Sequence, residues 1–124
     1  MKVTSRTYSS AVVLQVAGRL DQDTCDAFRT DLMGHVKAAS LGGGGVVLDL
    51  AGLEYISSAG LRCFMLASRE AKAQHGRIVV ADLQPMVAEI FSISHFNLIF
   101  QVFPTVGEAL AAVSAEAAAA YGKG

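Results

Sequence analysis

The chain is predicted to fold as a single α/β domain, with a mixed, mostly parallel β-sheet, an N-terminal hairpin and about four helices. Three observations predict it. Segments of strand character alternate with segments of helical period in the order β-β-α-β-α-β-α-β-α. Residues 46–50 are β-branched at their start and read as a central strand covered on both faces. The 124 residues carry no internal repeat or linker, and a chain of this length buries roughly two-thirds of its unfolded surface without disulfides or metals.

Each element has a local reason. Residues 3–8 alternate weakly, Ser9 and Ser10 form a turn, and residues 11–17 are a clear strand, which together give the hairpin. Gly18, Arg19, Leu20 and Asp21 lead toward the first helix, for which Asp23 is the expected N-cap and Asp26 a favourable first-turn charge. Cys25, Phe28, Leu32, Val36 and Ala39 fall on one face of that helix, with Arg29, Asp31 and Lys37 off it. Leu41 and the four glycines 42–45 read as a mobile surface loop. Asp49 is placed at the end of the central strand, anchoring a short turn that reaches Ser57. The second helix follows, carrying Leu61, Phe64, Met65 and Ala71 at core spacing and ending near Gly76. Residues 78–81 are a short buried strand, and Pro85 suits the first turn of a helix over residues 84–91. Residues 98–102 are the predicted last strand, closed by Pro104. Thr105 and Glu108 make a capping box for a final helix with Val106, Leu110, Val113 and Ala117 on one face. The domain is bounded at residues 1–116, and the Ala/Gly-rich residues 117–124 are expected to fray.

Composition removes several function classes. The net charge is −1 and the charges are dispersed, without the basic stripe that nucleic-acid binding requires. Cys25 and Cys63 lack CxxC spacing, and His35, His75 and His95 share no ligand spacing, so neither a metal site nor a cofactor is expected. The opening residues do not form a signal peptide, and the apolar runs fall short of a membrane span. The expectation is a cytoplasmic protein with reduced thiols and no membrane contact.

The candidate chemistry is concentrated at Ser57-Ser58-Ala59-Gly60. A hydroxyl at a helix N-terminus lies beside unpaired N–H groups and the positive end of the helix dipole, so a phosphate there is tolerated by the fold. Either serine can be a plain N-cap. Ala59 and Gly60 leave the backbone beside Ser58 unshielded, and a glycine inside the first turn weakens the helix, which capping alone does not need. Ser58 is the first choice for the modified residue and Ser57 the second. Arg62 and Arg69 lie off the apolar face of this helix, solvated by default.

This segment resembles the phosphorylation motif of the STAS domain family (sulphate transporter and anti-sigma-factor antagonist). In that family a strand ending in Asp-Leu precedes an apolar turn and then Asp-Ser-Ser-Gly-Leu or a variant. The matching residues are Asp49-Leu50, Leu53, Tyr55-Ile56 and Ser57-Ser58-Ala59-Gly60-Leu61, with Ser57 where the family often has aspartate. Gly18-Arg-Leu-Asp21, residues 87–96, residues 99–103 and residues 105–110 resemble further family segments, so the resemblance spans nearly the whole chain. It implies a non-enzymatic anti-sigma-factor antagonist, a partner-switching regulator. Unphosphorylated, such a protein binds a serine-kinase anti-sigma factor. Phosphorylation of Ser58 by that kinase with ATP releases it, and a metal-dependent serine phosphatase resets it. The resemblance also implies that Asp21 and Asp23 lie near the phosphoserine, so the partner surface is given by Asp21, Asp23, Ser57, Ser58, Ala59, Gly60 and Arg62.

Three other readings compete. A STAS domain can serve as an unswitched scaffold, including as the soluble subunit of a lipid-transport complex. A receiver-like domain with Asp49 as phosphoacceptor needs an acidic pair after its first strand and a lysine after its last, and neither is present. A nucleophile elbow needs Gly-x-Ser-x-Gly, whose first glycine is missing here.

Overall fold

The computed structural model describes residues 2–41, 45–73 and 76–123. The chain forms β1 (Lys2–Tyr8), β2 (Ala11–Leu20), α1 (Cys25–Leu41), β3 (Val46–Ile56), α2 (Ser58–Ala73) and β4 (Ile78–Ala81), then α3 (Pro85–Ile93), β5 (Val102–Phe103), α4 (Val106–Val113) and α5 (Ala115–Lys123). One five-stranded sheet runs in the order β1-β2-β3-β4-β5. The first pair is an antiparallel hairpin turning at Ser9, whose φ is 56°, and the remaining pairs are parallel. This is the mixed α/β sheet that the sequence predicts.

The arrangement of layers follows from handedness. Three successive parallel crossovers that step in one direction across the sheet, each right-handed, must place their helices on the same face. Accordingly α1, α2 and α3 supply Phe28, Leu32, Cys63, Phe64, Val87 and Phe91 to one core, against Leu14, Val16, Leu48 and Leu50 of β2 and β3. Phe64 is its hub, with Phe28, Phe91 and Phe100 at ring-centroid distances of 5.6, 5.9 and 6.0 Å. On the other face α4 and α5 bury Val106, Ala109, Leu110 and Ala117 against Val13, Val47 and Val79.

The observed elements differ from the sequence expectations in five places. The central strand does not end at Asp49 but continues to Ile56. Asp49 still bonds backbone, its Oδ1 accepting from the Ala51 N–H at 3.1 Å, but within the strand, where β3 carries an extra residue relative to β2 between the Gln15 and Ala17 pairs. A second step follows at Gly18, which has φ 101°, a conformation open to glycine. The last strand is Val102–Phe103 rather than 98–102, because residues 96–98 form a turn of 3-10 helix that buries Phe96 in the aromatic cluster. The final helix is two helices, broken at Ser114, whose extended φ of −162° redirects the chain and whose Oγ accepts from the Ala117 N–H. The alanine-rich segment expected to fray belongs to α5, with Ala117 fully buried and Tyr121 edge-on to Tyr8 at 5.3 Å. Half of the Thr105–Glu108 box is present, Thr105 Oγ1 accepting from the Glu108 N–H at 3.2 Å. The predicted mobility of residues 42–44, and His75, lie outside the described residues.

Candidate functional site: the N-terminus of α2 and the β2–α1 loop

Strands β2 and β3 are longer than their neighbour. β4 pairs only with Val46, Val47, Leu48 and Asp49, so residues 50–56 of β3 project beyond it, paired on one side with β2. At the end of this two-stranded projection the Ser57 N–H donates to the Leu20 carbonyl at 2.8 Å, which sets the first residues of α2 beside the start of the β2–α1 loop. Leu20 and Ile56 are buried and fix the projection to the helices. The Gln84 amide donates to the Ala51 carbonyl at 2.7 Å and ties the start of α3 to its root.

The two serines have different surroundings. Ser57 is the N-cap, its Oγ accepting from the Gly60 N–H at 3.2 Å and its carbonyl from the Leu61 N–H at 2.9 Å. Ser58 is the first helical residue, exposed, and its hydroxyl makes no side-chain hydrogen bond among the described residues. No acidic residue occupies the first turn of α2, so the positive end of its dipole is uncompensated there. Arg62, four residues on and therefore on the same side of the helix, is also exposed.

Gly60 acts differently from its sequence reading. It is buried, and a Cβ at this position would lie 2.8 Å from Leu20 Cγ and 2.9 Å from Ile56 Cγ1. The glycine lets the first turn of α2 sit directly on the projecting strands. Ala59 beside it is half-buried.

Of the two aspartates, Asp21 and not the expected Asp23 bonds the backbone ahead of α1. Asp21 Oδ1 accepts from the N–H groups of Asp23 and Thr24 at 3.0 and 3.2 Å, while Thr24 Oγ1 accepts from the Asp21 N–H and donates to the Arg19 carbonyl, each at 3.0 Å. This closed set of bonds holds the loop before α1, so Asp21 is the structural carboxylate. The expected cap, Asp23, engages only through its N–H, and its side chain is exposed toward solvent.

Two features of the site were not read from the sequence. Arg19 stacks on Tyr55, its guanidinium carbon 4.5 Å from the ring centroid, joining the two strands just before the loop. The pairing of these residues depends on the steps in β3, for which alternation gives no signal. Beneath the site, Cys63 Sγ donates to the Cys25 carbonyl at 3.5 Å, so the N-terminal parts of α1 and α2 meet at two buried thiols. Burial, aided by the adjacent Cys25, pushes the Cys63 thiol up to about 11. Such a thiol is an inert packing group at neutral pH. Among the described residues no group of three or more His, Cys, Asp or Glu side chains could hold a metal ion, and no helix is long and apolar enough to cross a membrane.

Comparison with known proteins agrees with this fold. The family model described as "Mlab, STAS domain" matches residues 3–101. A Bordetella bronchiseptica protein named as an anti-sigma factor antagonist, BtrV, is 35% identical over 102 residues, covering 82% of this chain and 85% of its own. The crystal structure of a protein from Thermotoga maritima, also named as an anti-sigma factor antagonist, superposes with a TM-score of 0.81 at 17% identity, over 90% of this chain and 93% of that one. The phosphorylated form of the Bacillus cell fate determinant SpoIIAA superposes with a TM-score of 0.65 at 18% identity, over 87% of this chain and 96% of that one. This chain belongs to the STAS domain family, and within it to the type that includes proteins named as anti-sigma factor antagonists.

Proposed function

We propose that this protein is a partner-switching anti-sigma-factor antagonist whose switch is Ser58. The observation that carries the reading is the division between the two serines: Ser57 holds the helix, leaving the Ser58 hydroxyl exposed at its N-terminus. The unphosphorylated protein docks a serine-kinase anti-sigma factor on the surface made by the start of α2 and the β2–α1 loop, with Asp23 and Arg62 at its margin. Transfer of the γ-phosphoryl group of ATP to Ser58 Oγ, with loss of its proton and release of ADP, adds roughly two negative charges to that surface. The helix dipole stabilises them in the free protein, but a docked partner must strip their water, so the complex dissociates. A metal-dependent serine phosphatase restores the hydroxyl. The protein itself catalyses nothing in this cycle. The likeness to a structure of SpoIIAA in its phosphorylated form supports this fold as compatible with such a modification.

The test is incubation with ATP and the serine-kinase anti-sigma factors of the source organism, read by intact mass. One phosphoryl group is expected on the parent and on Ser57→Ala, and none on Ser58→Ala. Modification of Ser58→Ala moves the site to Ser57. Ser57, standing where the family often has aspartate, favours a second reading, an unswitched STAS scaffold such as the soluble subunit of a lipid-transport complex. Stable partner binding with no modification of the parent by any kinase would select it.

A further inference from the structure

Helices α1 and α2 both follow parallel strands and run side by side, meeting at Cys25 and Cys63. Farther along, their outer faces separate into a groove with a cavity of about 580 Å³, lined by Arg29, Met33, Lys37, Leu66, Arg69 and Ala73 among others. The half-buried Met33 and Leu66 form its floor. The floor stays open at Gly34, where an added Cβ would meet nothing within 4 Å.

The rims are basic. Arg29, Lys37 and Arg69 line the groove, and with Arg62 and Lys72, which lie outside the lining, they are half of the chain's 10 lysines and arginines, all on these two helices, in a protein of net charge −1. Elsewhere Arg77 donates to the Ala112 carbonyl and to Gln101, and Arg19 stacks on Tyr55. Arg29, Lys37 and Arg69 make no ion pair or side-chain hydrogen bond among the described residues. Glu70 is the one acidic residue of the lining.

We propose that this groove docks an acidic amphipathic helix of a protein partner. Arg29, Met33 and Lys37 recur every four residues along α1, placing two cations about 12 Å apart with an apolar side chain between them. A partner helix with carboxylates eight residues apart and an aliphatic residue midway repeats that spacing with opposite charge. Arg69 meets a third carboxylate from the opposite rim. A planar anionic membrane reaches the rims but not the floor, and a compact anion reaches only one of Arg29 and Lys37, which lie about 12 Å apart along α1. The groove begins about 12 Å along α2 from Ser58, beyond the reach of a charge placed there through solvent. Docking here is therefore independent of the phosphorylation state, and the inference does not rest on the switch reading.

The probe is a fluorescently labelled peptide helix with glutamates at i and i+8 and leucines at i+4 and i+5, against a twin carrying lysines for the glutamates. Anisotropy and amide chemical shifts are recorded on the full chain. Saturable binding of the acidic peptide is expected, weakened by salt, with shifts at Met33, Gly34, Leu66 and Ala73. The double variant Lys37→Glu/Arg69→Glu is expected to lower affinity about tenfold or more, Lys37→Ala/Arg69→Ala less, and Ser58→Asp not at all. Both pairs are exposed, so folding is retained. Absence of saturable binding, equal binding of the lysine twin, or shifts confined to the Ser58 end would overturn the proposal. Charge-dependent binding to vesicles of one-third phosphatidylglycerol in preference to the peptide would also overturn it, assigning the surface to a membrane.

Discussion

At position 57 the hydroxyl is committed to the Gly60 N–H, whereas at position 58 it is bound to nothing described. Substitution should separate them. Ser57→Ala loses a cap and is expected to cost about 0.5–2 kcal/mol of stability, while Ser58→Ala changes it by no more than about 0.5 kcal/mol. Ser58→Asp is expected to melt at or above the parent temperature, through the uncompensated dipole, yet bind the proposed kinase partner about tenfold more weakly. Thermal unfolding paired with titration against the kinase domain checks all three. Equal losses at 57 and 58 would contradict the cap assignment, and undiminished affinity of the folded aspartate variant would remove Ser58 from the interface. Gly60→Ala opposes two effects. Alanine improves helix propensity by about 1 kcal/mol, but its Cβ meets Leu20 and Ile56, both immobilised in the core. Overpacking of this kind costs about 1–3 kcal/mol, so the variant is expected to melt below the parent.

Among elements, the seam between α1 and α2 couples to pH. The raised Cys63 thiol favours the protonated folded form, so its contribution is complete below the unfolded value near 9.0 and is lost as pH rises toward about 11. Denaturant midpoints between pH 8 and 11 should fall more steeply for the parent than for Cys63→Ala. Iodoacetamide at pH 8 should label neither thiol until the protein unfolds. At the centre of the same core, Phe64→Ala is expected to cost about 3–5 kcal/mol, since three rings lose their common neighbour. Element by element, the sequence was legible where burial repeats: Cys25, Phe28, Leu32 and Val36 form the buried face of α1 as their spacing predicts. It was least legible where tertiary bonds override local pattern. Nothing near Asp21 distinguishes it from Asp23 as the carboxylate that holds the loop. Phe100 reads as part of a strand until the aromatic cluster draws it in. The serine pair was visible as a helix start, but only the Gly60 contact with β2 and β3 explains why a glycine stands in that turn.

For the molecule as a whole, the second core depends on helices that composition alone assigns weakly. The alanine-rich α5 covers the β1 side of the sheet through Ala117 and through Tyr121 against Tyr8. Tyr121→Ala is expected to lower stability by about 0.5–1.5 kcal/mol if that helix is docked, and to leave the melting temperature unchanged if it frays. The sheet order has a further consequence, for synthesis. Because β1 to β5 lie in space in the order they lie in the chain, each strand leaving the ribosome finds its neighbour already present. No strand has to wait for a later one or insert between two that are paired. The nascent chain can therefore grow its sheet at one edge, and the element that closes the second face, α5, is made after all five strands.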